Sequence, residues 1–546
     1  MKQIKIIVLM LVLSASIFSC KKQLDIQNPN QPTVDNASTE SGIESFAQGA
    51  VYINGFKDLK YYDAVPGYFW SGAIGYEECM GDVVGAEAAN IYMNQIGCPD
   101  YVILDNGTKV LNPNAPNTQI AMIRQINTNA NLDQNTLYYE WGYMYSLNKA
   151  CNKILGIVDK VSFSGDAGSK MNAIKAWAYW WKGYAYSRIG SLYYAGIIDN
   201  SEIGTNSNYV AKEKIIEESN ANLDKAVTAL TAVTNATDFA DVIGKIIPNF
   251  IQVGKGGVLT PDMWKRNINT MKARNILLNT TIAAMTAAQW GNILTLTNTG
   301  IQAADNVFTG RSNATSDFLS ASTGTVAAKA TSTQAGLGTY KISERLIQDF
   351  KPGDKRLDNN FKQTIAWAGN SDRGNAFNTR YALVNKGAGL PGVIVLSNTD
   401  AGQTELYLAA TYEENELMKA EAKIYTNDIA GGLAAIDVIR AYQGAGIPAV
   451  AGTTTNVTIA KEELRKERRV GLVFRALSFY DARRWGVIDD ISKGGGRKNA
   501  VVLYPNSVVN TNATINYNYL DYWDVPDTEL AYNPPATGSA PTKNPK

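Results

Sequence analysis

Trp177, Trp180, Trp181 and Tyr184 fall at i, i+3, i+4 and i+7 within residues 173–194. That spacing puts four large aromatic side chains on one face of a helix and predicts that the three tryptophans are core. A strand cannot do this, because its successive side chains point to opposite faces. The same period recurs in LYYEWGYMYSLNKACNKILGIVD within 136–159, in residues 212–230, and in the Ala- and Leu-rich stretch 271–288. TYEENELMKAEAKIYTNDIAGGLAAIDVIRAY, residues 411–442, reads as two helices around Asn427–Gly432. Leu417, Ala420, Glu421 and Ile424 share a face of the first, and Leu433, Ile436 and Ile439 a face of the second. Ala420, Ala422, Ala434 and Ala435 are small enough to let such a pair close up, which is the logic of tetratricopeptide pairs, although no strict repeat is visible. The fold class expected is all-α: helical pairs as a scaffold. Four long segments (87–131, 231–264, 309–340 and 359–404), rich in Gly, Asn, Ser, Thr and aromatics, are expected as irregular loops building a ligand surface.

The chain of 546 residues contains no histidine. That rules out Ser-His-Asp and Cys-His nucleophiles and any His-ligated zinc; paired carboxylates remain open. There is no CxxC, Walker loop or EF-hand loop, and no cofactor or metal is called for. The N-terminus MKQIKIIVLMLVLSASIFSC has a positive start and an apolar run from Ile6 to Phe18. A bilayer of about 30 Å needs roughly 20 apolar residues, so this is a secretory h-region rather than a span. Ile17-Phe18-Ser19-Cys20 has the form of a bacterial lipobox, which makes Cys20 the acylated N-terminus of the mature chain. The expected organisation is a signal peptide at 1–19, a polar lipid-anchored tether at 20–35 and one folded unit at 36–546. Cys79 and Cys98 could pair, with Cys151 on a helix; sequence leaves that open.

RKERRVGLVFRALSFYDARRWG, residues 465–486, holds seven Lys or Arg. Net charge is only +1, and −1 once Lys2 and Lys5 leave with the leader, so no global basic field exists to gather nucleic acid. Val470, Val473, Phe474, Leu477 and Tyr480 would lie on one helical face, with Arg468, Arg469, Arg475, Arg483 and Arg484 on its flanks. The reading is a structural amphipathic helix whose arginines meet carboxylates and carbonyls of packed neighbours.

This run closely resembles the signature helix of the SusD/RagB family of Bacteroidetes outer-membrane lipoproteins, in its Glu467-Arg468-Arg469, the apolar stretch, Tyr480, Asp481 and the final Arg484-Trp485-Gly486. Further resemblances follow in order. They are SCKKQLDIQNPNQPT at the lipidated start, ESFAQGAVYINGF (Glu44–Phe56), and YYEWGYMYSLNKACNKIL with Trp141 and Asn148. After them come FKPGDKRLD (Phe350–Asp358), YEENELMKAEAKIY and YWDVPDTEL. The resemblance implies a lipid-anchored protein at the cell surface that caps a SusC-like TonB-dependent transporter in the outer membrane. Such a protein captures a glycan, or in some members a peptide, and delivers it; it is not an enzyme.

Glycan capture works through aromatic rings stacked on sugar faces and polar side chains that sort hydroxyls. Aromatics on loops are therefore the candidates: Trp70, Tyr76 and Asp82 in YYDAVPGYFWSGAIGYEECMGD, then Tyr92 with Asn94, then Trp367 and Arg373 in AWAGNSDRG. Two other classes compete. A surface glycoside hydrolase would need two carboxyl groups roughly 5–10 Å apart across a cleft. A lipid-anchored tetratricopeptide adaptor that binds only proteins would show regular repeats with short loops.

Overall fold

The tryptophan stripe forms the centre of the protein. Trp177, Trp180 and Trp181 are fully buried and meet Trp264 and Phe308 edge-on or tilted, with ring centroids 4.5–6.3 Å apart. Two of the indole N–H groups are placed by hydrogen bonds: Trp177 Nε1 donates to the Ala47 carbonyl at 3.0 Å and Trp180 Nε1 to Asn267 Oδ1 at 3.1 Å. The structure, a computed structural model, describes residues 37–52, 59–61, 65–67, 69–86, 91–134, 136–312, 325–332, 339–367, 377–504 and 508–546. The leader, Cys20, the tether at 20–35 and Arg373 lie outside the described residues.

Twelve helices matter here: α1 Glu40–Tyr52, α2 Ile74–Met80, α3 Thr136–Val158, α4 Ala167–Leu192, α5 Lys212–Thr231, α6 Ala236–Ile246, α7 Pro261–Leu278, α8 Ala287–Asn298, α9 Tyr412–Tyr425, α10 Ile429–Tyr442, α11 Val457–Gly471 and α12 Ser478–Arg484. Several start where local chemistry says they should. Asp166, Asn235, Thr260, Asp428 and Asn456 each accept from a backbone N–H of the first turn, and Pro261 stands at the first position of α7. Residues 271–288 are not one helix as expected. α7 stops at Leu278, and Thr286 and Gln289 close a capping box that starts α8.

The helices pack in antiparallel pairs, α3 with α4, α4 with α5, α7 with α8 and α9 with α10, in the tetratricopeptide manner. α4 is the axis, with 19 of its 26 residues buried. Gly183 and Gly190, two turns apart, face α5; a Cβ at Gly183 would lie 2.8 Å from Leu223. The absent side chains are what let the two helices approach this closely.

The four segments expected as irregular loops hold regular structure. β1 Tyr101–Ile103 and β2 Lys109–Leu111 join β3 Arg497–Tyr504 and β4 Val508–Asn516 in an antiparallel sheet of order β3-β4-β1-β2. Residues 231–264 contain α6, and 359–404 contain the hairpin Phe361–Trp367/Thr379–Leu383. The strands of β1 and β2 are too short for a two-residue period to stand out from a loop. Cys79, Cys98 and Cys151 are buried free thiols, so no bridge joins Cys79 to Cys98. Among the described residues no helix is long and apolar enough to cross a membrane.

The basic run is structural, as expected, but it is not one helix. α11 ends at Gly471, residues 472–477 turn, and α12 starts at Ser478. Its arginines are buried in ion pairs. Arg468 Nε reaches Asp481 Oδ2 at 2.8 Å; Arg484 Nε reaches Asp481 Oδ1 at 2.8 Å and its Nη2 reaches Glu421 Oε2 at 2.6 Å. These two guanidinium groups and two carboxylates are at most 3% exposed and balance in charge. Burial costs each ion several kcal/mol, recovered only when every charge is paired. Arg469 bonds Asp349 and the carbonyls of Gly81 and Asp82, and Arg483 takes the carbonyls of Ser191 and Leu278, at the C-terminal ends of α4 and α7.

Removing one member should therefore do more damage than its contacts suggest. Glu421→Gln is expected to lower unfolding stability by about 3–5 kcal/mol, because Arg484 and Arg468 are left in excess. Urea denaturation measures it. The double variant Glu421→Gln, Arg484→Met should lose less than the two single losses added together.

Candidate functional site

Five chain segments, 325–327, 391–396, 404–409, 441–444 and 473–477, wall a cavity of about 570 Å³ that Trp70, Ile74, Tyr184, Arg188, Arg274 and Tyr480 line from the scaffold side. Ligand pockets commonly span roughly 300–1,000 Å³ and combine apolar walls with a few placed polar groups.

The charges on the scaffold side are already paired. Arg188 Nε meets Glu140 Oε1 at 2.6 Å and its Nη2 meets Glu77 Oε2 at 2.9 Å, while Tyr480 donates its hydroxyl to Glu77. Burial pushes the Glu140 carboxyl up to about 7 in spite of Arg188. Arg274 Nε bonds Glu414 Oε1 at 2.6 Å. On the wall, Glu405 accepts from the Lys255 N–H at 2.6 Å and lies 3.3 Å from Arg311.

Two lining charges differ. Arg475 lays its guanidinium over the Tyr407 ring, 3.9 Å from the centroid, and forms no ion pair among the described residues. Glu413, 7% exposed, likewise has no side-chain ion pair or hydrogen bond among the described residues. Arg475 is flanked by two residues in the left-handed region, Phe474 at φ 57° and Ala476 at φ 55°. For side chains other than glycine that conformation costs about 1–3 kcal/mol and persists only when the surroundings impose it. Glu78 supplies part of the imposition: its Oε1 accepts from the Ala476 N–H at 2.7 Å.

Glu78 is 1% exposed. Burial, with the Glu77 carboxylate beside it, raises its carboxyl to about 8 against the opposing pull of Arg469 and Arg475. Tyr340, which also feels Glu78, is itself pushed up by burial. The folded protein thus holds a proton at neutral pH that the unfolded chain releases near the ordinary carboxylate value.

Of the residues singled out in the sequence, Trp70 alone among those described lines this cavity, buried at 5% in the turn Phe69–Ala73 rather than exposed on a loop. Tyr76 is fully buried in α2, edge-on to Trp523. Asp82 is buried beneath Arg345, whose Nη2 is 2.7 Å from Asp82 Oδ1, and takes the Tyr517 hydroxyl at 2.8 Å; its carboxyl is held well below the usual range. Asn94 is buried, and with Asp82 it borders a second cavity of only about 20 Å³, room for a water. Tyr92 is half-buried and donates to Asn131. Trp367 ends its strand opposite Thr379. These are not the exposed platform expected for Trp70, Tyr76, Asp82 and Asn94. The aromatics of 69–82 serve the core, because α2 is buried along its whole length.

Arg475, Glu413, Tyr407 and Tyr442 were not picked out as site residues by the sequence. Arg475 sits inside a run whose other arginines are structural, and no spacing rule marks it. Elsewhere among the described residues, Glu40, Glu44 and Asp241 have metal-ligand spacing, but Lys170 lies 2.5 Å from Glu40 and Lys245 lies 2.7 Å from Asp241, so two ammonium groups already occupy the cluster.

The pH dependence of stability follows from Glu78. As pH rises from about 5 through 8, the unfolded state is already ionised while the native state resists, so the wild type loses stability. Glu78→Gln keeps an acceptor for Ala476 and has no proton to lose. Urea unfolding should show the variant gaining on the wild type by more than about 1 kcal/mol between pH 5 and pH 9; a constant difference across that range would contradict the assignment.

Comparison with known proteins adds the following. Residues 302–537 match the family model described as the SusD family. No curated protein matches the sequence. Among solved structures, a SusD-like carbohydrate-binding protein from Bacteroides fragilis is similar at TM-score 0.56 and 15% identity, over 90% of this chain and 98% of that one. A SusD-like carbohydrate-binding protein from Bacteroides vulgatus is similar at TM-score 0.54 and 13% identity, over 92% and 98%. Surface glycan-binding protein A from Bacteroides fluxus is similar at TM-score 0.54 and 11% identity, over 92% and 97%. At such identities the likeness is one of fold.

Proposed function

We propose that the chain is a SusD-family protein, as the match of residues 302–537 supports, that it binds carbohydrate at the cell surface and delivers it to a SusC-like TonB-dependent transporter of the outer membrane, and that lipid on Cys20 holds it there. The observation that carries this reading is the cavity walled by 473–477. It sets the aromatic rings of Tyr407, Tyr442 and Trp70 beside the charged groups Arg475 and Glu413. Such a mixture suits a sugar, whose ring faces are apolar and whose edge is all hydroxyl. All five wall segments fall within residues 302–537, the stretch that matches the family.

The role is binding rather than hydrolysis. Apart from Glu413 the lining carboxylates are engaged, Glu405 by arginine and backbone and Glu78 by the Ala476 N–H, which leaves no second free carboxylate in the cavity among the described residues. Capture needs neither nucleophile nor proton shuttle. A preformed cavity lowers the ordering cost of binding.

The test is binding of the purified protein to a panel of oligo- and polysaccharides, read by retardation in affinity gels and by calorimetry. Tyr442, 41% exposed, offers an open ring. Tyr442→Ala should weaken the best glycan about three- to ten-fold, the usual worth of one aromatic contact. Silence across every glycan, with a peptide bound instead, would overturn the carbohydrate reading.

A further inference from the structure

We infer that the cavity takes the end of a neutral oligosaccharide, with Arg475 and Glu413 dividing the ring hydroxyls between them. This rests on the carbohydrate reading above and goes on to name the class of sugar and the mode of entry.

The argument is one of unspent hydrogen-bonding capacity. Arg188, Arg274 and Glu405 line the cavity with their charges paired to protein. Arg475 and Glu413 line it unpaired among the described residues, and they are of opposite sign. A guanidinium and a carboxylate that line a cavity without protein partners keep their hydrogen-bonding capacity for a ligand. A guanidinium only donates and a carboxylate only accepts. Vicinal sugar hydroxyls do both, accepting from Arg475 and donating to Glu413 through charge-assisted bonds. A uronate would satisfy Arg475 but set its carboxylate in the same cavity as Glu413; an amino sugar would do the reverse. The free charges sum to zero, which matches a neutral ring.

The turn that carries Arg475 supports a dedicated role. Two non-glycine residues in the left-handed region, pinned by the Glu78 bond, hold Arg475 against Tyr407. A cation required only for packing would not need a strained turn; the other arginines of the run make their pairs from regular helix. Shape decides the mode of entry. A cavity of about 570 Å³ bounded by five segments admits a few rings of a chain end. A flat platform, which accepts the side of a polymer, would have no such walls.

Calorimetry of the purified protein against three pools settles it: neutral oligosaccharides of increasing length, uronate-containing oligosaccharides, and dipeptides. The expected result is a neutral sugar bound about ten-fold or more tighter than its uronate counterpart, with affinity levelling off after a few rings. Arg475→Gln and Glu413→Gln should each weaken it about ten-fold, the worth of a charge-assisted bond. Arg475→Lys keeps the charge but loses the planar fork, and should show a comparable loss if the glutamine variant fails to fold. Preference for the uronate, or full affinity in both glutamine variants, overturns this inference and leaves the carbohydrate reading standing. Dipeptide binding with no glycan bound overturns both.

Discussion

The buried quartet of Arg468, Arg484, Glu421 and Asp481 is the interaction on which the rest of the structure depends. It joins α9, α11 and α12 with charges that cannot be left single in a dry interior. Helical geometry extends it. Glu467, Arg468 and Arg469 are consecutive, so they point about 100° apart around α11. Glu467 meets Arg356 and Arg440, Arg468 meets Asp481, and Arg469 meets Asp349 and the turn at Gly81–Asp82. One polar helix is thereby locked on three sides, where an apolar one would have slid more freely. The fit of charge to charge fixes its rotation and its register.

The same segment builds the cavity. α11 is held so firmly that its abrupt end at Gly471 and the strained turn behind it have a fixed place. Glu78, from the far end of the sequence, reaches the turn at Ala476, and Arg469 reaches back to the residues just after α2. Arg483 then fastens α12 to the C-terminal ends of α4 and α7. Scaffold and binding wall are consequently not separate modules. A substitution in the ion-pair network should disturb the cavity even though it touches no ligand.

The helical frame was legible because a period of 3.6 survives in long elements such as α3, α4 and α5, and because caps such as Asp428 and Asn456 mark their starts. The structural role of the arginine run was legible as well, from the apolar residues threaded through it. What was not legible came from distance in the chain. The break at 472–477 opposes a local pattern that favours helix, and part of what holds it is Glu78, some 400 residues away in sequence. Trp70 and Tyr76 stand in a Gly- and aromatic-rich stretch that looks like a loop, yet α2 is buried all round by α12 and its neighbours. Asp82 resembled a ligand group because its partner Arg345 is remote in sequence. The cavity is the extreme case: Trp70, Arg188, Arg274, Tyr407 and Arg475 meet only once the chain has folded.

The central claim is that ligand binds between 404–413 and the strained turn, inside the cavity. Amide hydrogen exchange of the protein, with and without a glycan that binds it, addresses this without any substitution. New protection on binding should appear in 404–413 and in 472–477, with the α3–α4 core unchanged. Protection confined to the region of 91–112, with none in those two segments, would contradict the account and move the binding surface to the β1–β2 edge.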